Sequence, residues 1–202
     1  MSDDKTLMEE HASSENDWVR VRIIKQEPPP EGSLLKIAER ARDMAVNSLG
    51  NQHSAYAVSL QNLGLYYDAI ENNPSRANEF FAQARAVLKE NELPLAEGFY
   101  WLGIFHSQVS DDAKRAEGPL AEALAIQRRA LGSDDLQLVG TMIALAYAKG
   151  AKTEIHSAVA LMEEALRIQR TQFPPTDQAI LDTENRLAIF RALADTQTED
   201  GS

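Results

Sequence analysis

Apolar residues recur along most of this chain at three- and four-residue intervals, and Gly, Pro, Asn and Asp punctuate the runs. That period is helical. Leu34, Leu35, Ile37, Ala38, Ala41, Met44 and Ala45 follow Ser33, a residue type suited to an N-cap, and Leu49-Gly50 closes the run. A second run opens near Ser54 with Tyr56, Leu60, Leu63, Gly64 and Tyr67; a third follows Asn73-Pro74 with Ala77, Phe81, Ala84 and Leu88. Pro94 opens a fourth with Phe99, Leu102, Gly103 and His106, and a fifth follows Asp111-Asp112 with Ala116, Leu120, Ala123 and Ile126. Proline inside a helix costs about 3 kcal/mol, so Pro119 predicts that this fifth helix becomes regular only from about residue 117. The remaining helices are expected from about Asp135 (Ile143, Ala144, Tyr147), from about Thr153 to Pro174-Pro175 (Ala158, Met162, Ala165, Ile168), and from Thr176 or Asp177 to about Ala194 (Ile180, Leu181, Leu187, Phe190).

The N-terminal region reads differently. Residues 1–17 are polar and acidic with no sustained apolar period, which predicts disorder. Trp18, Val19, Val21, Ile23 and Ile24 then alternate with Arg20, Arg22 and Lys25, a pattern of branched and aromatic residues that favours an extended strand. A lone strand has nothing to pair with in an all-helical chain, so it is expected to lie in a groove or to dock on another chain. Pro28-Pro29-Pro30 acts as a stiff spacer behind it. The expected division is therefore an acidic disordered N-terminus over 1–31 that includes the extended segment 18–25 and the Pro-rich spacer, a helical repeat domain over 32–195, and a disordered tail over 196–202.

The helices come in two repeating types. Ala123-Leu-Ala-Ile-Gln-Arg-Arg and Ala165-Leu-Arg-Ile-Gln-Arg-Thr are near copies placed 42 residues apart, and the equivalent alanines Ala41, Ala84, Ala123 and Ala165 are spaced by 43, 39 and 42. A period of this size marks a solenoid, because one helix pair cannot bury its apolar face alone. The first type reads Leu60-x-x-Leu63-Gly64-x-x-Tyr67, Phe99-x-x-Leu102-Gly103-x-x-His106 and, more weakly, Ile143-Ala144-x-x-Tyr147. The second reads Ala77-x-x-x-Phe81-x-x-Ala84, Ala116-x-x-x-Leu120-x-x-Ala123 and Ala158-x-x-x-Met162-x-x-Ala165.

This pattern resembles the tetratricopeptide repeat (TPR), in the long-period variant of the kinesin light chains. The resemblance implies an all-α, right-handed solenoid of helix-turn-helix units, about three and a half repeats with a C-terminal capping helix. It departs from the family in a longer connection between paired helices and in His106, which stands where a tyrosine is usual.

The resemblance also implies a peptide-binding concave groove lined by the first-type helices. The positions that map to it are Val58, Gln61, Leu65 and Asp68; Glu97, Tyr100, Ile104 and Ser107; and Leu138, Thr141, Leu145 and Ala148. Asn62 occupies the place where kinesin-light-chain relatives carry a backbone-binding asparagine. The basic clamp of chaperone-binding relatives is missing: the first such helix has no Lys or Arg and the third only Lys149.

Charge and composition narrow the function. With 20 Lys and Arg against 31 Asp and Glu the net charge is −11, which argues against nucleic acid as a ligand. There is no cysteine, so thiolate metal sites and cysteine nucleophiles are excluded. His11, His53, His106 and His156 are too scattered for a metal motif, and Glu163-Glu164 and Asp134-Asp135 fit a solvated helix face and a helix start better than acid-base chemistry. No membrane span or signal peptide is apparent, so a cytoplasmic protein without cofactor or metal is expected. The reading is a non-enzymatic interaction module or adaptor, contacting a protein or peptide through the groove and through Trp18 to Lys25. An accessory or assembly subunit of a larger enzyme complex is the alternative, and a regulator whose N-terminal segment fills its own groove is a third.

Overall fold

The computed structural model describes residues 14, 16, 17, 19–23, 25, 33–88, 92–108 and 112–199. Every regular element among them is an α-helix. The described residues between 14 and 25 are helical and form α1. They are followed by α2 (Leu34–Leu49), α3 (Ser54–Ala69), α4 (Pro74–Leu88), α5 (Leu93–Gln108), α6 (Ala113–Leu131), α7 (Leu138–Ala151), α8 (Ile155–Gln172) and α9 (Gln178–Glu199). The chain divides into two compact units, Met1–Phe105 and His106–Ser202.

Helix ends fall where local chemistry puts them. Gly50 closes α2 at φ 94°, a left-handed conformation that glycine enters without strain. His53 caps α3 through Nδ1, which accepts from Ala55 N at 3.2 Å. Asn73 Oδ1 accepts from Arg76 N at 3.1 Å ahead of α4, and Asp112 Oδ1 from Arg115 N at 3.2 Å ahead of α6. Asp177 Oδ1 takes Ala179 N at 2.9 Å at the start of α9.

In the first unit α3 packs between α2 and α4. The α3–α4 approach is close because Gly64 has no side chain: a Cβ there would sit 3.0 Å from the Phe81 ring and 3.3 Å from the Ala77 carbonyl. Tyr67 stacks on Phe80 with ring centroids 5.4 Å apart, and Phe81 meets Phe99 of α5 at 5.1 Å. In the second unit α6, α7, α8 and α9 pack each against the next. Its core gathers Ala146, Ile155, Ala158, Met162, Leu166, Ile180, Leu187 and Phe190. Gly150 plays the part of Gly64 here, since a Cβ on it would lie 2.4 Å from Phe190 Cε1.

Three sequence expectations are corrected. Residues 19–23 are helical, not extended, and so are 14, 16 and 17 of the stretch expected to be disordered; Trp18 and Ile24 lie outside the described residues. Val19 and Ile23 are buried while Val21 is 47% exposed, so the apolar run obeys a four-residue period that alternation had imitated. Second, α6 is regular from Ala113 and carries Pro119 inside it. The Asp112 cap anchors the first turn, and burial of Ala116 and Leu120 on either side holds the helix through the proline. Third, α9 continues past Ala194 to Glu199, with Thr196 Oγ1 donating to Leu193 O at 2.8 Å.

Candidate partner-binding site

The α3 sequence is apolar or small almost all round, and from Ser59 to Asp68 every residue of it is buried. A helix buried on every side needs a cover on every side. Neighbours α2 and α4 supply two of them and α5 a third, where Gln61 lies so close to Gly98 that a Cβ on that glycine would fall 2.5 Å from Gln61 Oε1. The fourth cover is α1.

Asn16, Val19, Arg20 and Ile23 stand at i, i+3, i+4 and i+7, hence on one face of α1, and all four are at least 96% buried. The opposite face, with Asp17, Val21 and Lys25, is exposed. The buried face is joined to α3 and α5 by hydrogen bonds. Asn62 Nδ2 donates to the backbone carbonyl of Asn16 at 2.8 Å and to its Oδ1 at 3.1 Å. Asn16 Nδ2 donates to the Ala55 carbonyl at 3.4 Å. Arg20 Nε donates to Asn62 Oδ1 at 3.3 Å, and Arg20 Nη1 to Glu97 Oε1 at 2.5 Å.

The two charges differ in setting. The Arg20 side chain is 5% exposed and the Glu97 side chain 55%, so the guanidinium is brought under cover and the carboxylate remains at the rim, in water. A buried cation is tolerated only when paired. Arg20 Nη2 nevertheless has no hydrogen-bond partner among the described residues, and neither does the amide of Gln61, which lies against Gly98 of α5. The contact between α1 and the α3/α5 face thus combines buried aliphatic side chains with an incompletely satisfied cation.

The sequence-derived positions therefore differ in setting. Asn62 and Glu97 touch α1 directly; Gln61, Leu65 and Asp68 are buried on α3 and Val58 is half-buried there. Tyr100 lies one helical turn beyond Glu97, half-buried, its ring 5.4 Å from that of Trp101, and burial raises its hydroxyl pKa. Ile104 is buried. In the second unit Ser107 is half-buried and Leu138, Thr141 and Leu145 are buried. Leu145 lines an open cleft of about 380 Å³ with Leu124 and Arg128 of α6 and Ala160 and Leu161 of α8, turned towards the second-type helices.

Residues that sequence reasoning passed over are Asn16, the Ala55 carbonyl and Gly98, and it treated Arg20 only as one of several spaced cations. A four-residue spacing of Asn16, Arg20 and of Val19, Ile23 was the available signal. Among the described residues no group of three or more His, Asp or Glu converges as a metal cluster would. No described helix is long and apolar enough to cross a membrane. The acidic pairs serve as ties between helices: Glu164 meets Arg128 at 2.5 Å, Glu163 meets Arg191 at 2.7 Å and Asp134 meets Arg167 at 2.6 Å.

No protein-family model matches the chain, and no curated protein does. Solved structures do match. The crystal structure of a Podosopora anserina putative kinesin light chain with nearly identical TPR-like repeats aligns with TM-score 0.61 and 18% identity, over 94% of this chain and 89% of that one. At this identity the likeness is one of fold, and it makes the chain an all-α protein of TPR-like helix-hairpin repeats, as its repeat pattern predicted.

Proposed function

We propose that this chain is a non-enzymatic protein-interaction module, an adaptor of the cytoplasm that needs no cofactor, and that its contact surface is the α3/α5 face of the first unit. One observation carries the reading: that face holds a helix of the same chain, gripped through its backbone carbonyl by Asn62 and through its arginine by Asn62 and Glu97. A surface that grips one helix by main-chain and charge contacts has the means to grip another. The TPR-like fold, and the kinesin light chain whose structure it resembles, favour a protein or peptide partner over a small molecule. The resident α1 then acts as a competitor that a partner displaces.

Affinity purification with quantitative mass spectrometry tests this, run on the natural chain and on Tyr100→Asp, which puts a charge one turn from Glu97. The expected result is loss of a partner from the variant while circular dichroism stays helical. An unchanged partner set rules the face out as the contact surface.

A second reading, an accessory subunit held permanently in a larger complex, draws support from α9, where Leu181, Ile189 and Leu193 are 39%, 60% and 46% exposed. Large exposed apolar side chains on one helix are a feature of surfaces that stay covered. A stoichiometric partner that survives a high-salt wash and is lost on Ile189→Glu would favour this reading.

A further inference from the structure

The ligand chemistry of the α3/α5 face can be taken further, on the premise that this face is the contact surface. We infer that it accepts a basic amphipathic helix whose inward face carries a hydrogen-bonding residue, an aliphatic residue, an arginine and a second aliphatic residue at i, i+3, i+4 and i+7.

Each position has a counterpart. At i, Asn16 receives two bonds from Asn62 and donates to the Ala55 carbonyl. At i+4, the guanidinium of Arg20 meets one neutral acceptor and one carboxylate, Asn62 Oδ1 and Glu97 Oε1. At i+3 and i+7, Val19 and Ile23 are 0% exposed. The carboxylate sets the sign of the charge read, and the net charge of −11 steers a basic segment to it while repelling an acidic one.

The fit of the resident helix leaves room for a better one. Arg20 is 4% exposed and its Nη2 has no partner among the described residues. A helix that also places an acceptor against that Nη2 position gains what α1 forgoes. Arg20 is thus a stand-in for the partner's arginine, and α1 for the partner's helix.

The test uses the full chain and a fluorescent peptide of residues 13–26. Ile23→Asp in the chain undocks α1, because a carboxylate cannot occupy a fully buried aliphatic site. Fluorescence anisotropy is expected to give binding to this variant that is at least about tenfold tighter than to the natural chain, where α1 competes. A peptide with Arg20→Glu should bind at least about thirtyfold more weakly. Glu97→Arg in the chain should recover most of that loss. If the Ile23→Asp chain loses its helical signal, Val19→Ser serves as the milder undocking variant.

Failure of the natural peptide to bind either undocked chain overturns the inference, and so does equal binding of a peptide in which Arg20, Arg22 and Lys25 are all glutamate. Either result leaves the partner lost from Tyr100→Asp as independent support for the contact surface. Peptide binding without any such partner instead confines the face to a contact within the chain.

Discussion

Asn62→Ala isolates the contact that holds α1. In the native chain Asn62 Nδ2 donates to the Asn16 carbonyl at 2.8 Å and to Asn16 Oδ1 at 3.1 Å, and Asn62 Oδ1 accepts from Arg20 Nε at 3.3 Å. A neutral hydrogen bond contributes about 1 kcal/mol and one to a charged group about 1.5–3 kcal/mol. Counting the paired contacts to Asn16 as one neutral bond, the total is about 3 kcal/mol, and since 1.4 kcal/mol is a factor of ten, α1 undocking should rise about a hundredfold. The loss is local. Once α1 leaves, position 62 faces water and no cavity remains, so α2–α4 keep their stability. Hydrogen exchange read by mass spectrometry should show faster exchange across residues 16–23 with α3 and α4 little changed. Asn62→Asp, which keeps an acceptor for the guanidinium but loses the donors, should fall between the two. Unchanged exchange at residues 19–23 in Asn62→Ala would refute the argument, as would a large fall in melting temperature with α1 still protected.

Three further outcomes follow from the packing. Gly64→Ala puts a methyl 3.0 Å from the Phe81 ring and should destabilise the first unit by about 1–3 kcal/mol, read by chemical denaturation, with Phe81→Leu restoring most of it. Glu117 bonds Lys149 at 2.8 Å and also Lys152; these bonds lower its carboxyl pKa, so its contribution is present above the ordinary glutamate value of 4.5 and lost as pH falls through the lower folded value. The gap in melting temperature between the natural chain and Glu117→Gln should therefore shrink as the pH drops well below 4.5; a constant gap from pH 7 to pH 3 would contradict it. Thr153 holds φ at 68° in the turn between α7 and α8, where a β-branched residue is strained, so Thr153→Gly should raise stability by about 1 kcal/mol, and a fall on thermal denaturation would count against strain there.

Much of the architecture was determined by the sequence alone because it depends on neighbours in the chain. The 3.6-residue period, the Asn and Asp caps, Gly50 and Pro174 act within a turn or two, and the small residues Gly64, Ala84 and Ala123 announce close helix contacts wherever they recur. The two-type repeat thus revealed the TPR-like fold. What only the tertiary structure decided was the state of residues 19–23. Valine and isoleucine favour strand in isolation, but Val19 and Ile23 can be buried together, with Asn16 and Arg20 bonded, only on a helix lying against α3 and α5. The same logic carried α6 through Pro119, where packing of Ala116 and Leu120 outweighed a local penalty. Local chemistry chose the helices; contacts between residues some forty to eighty positions apart, Asn16 with Asn62 and Arg20 with Glu97, chose what covers the face between them.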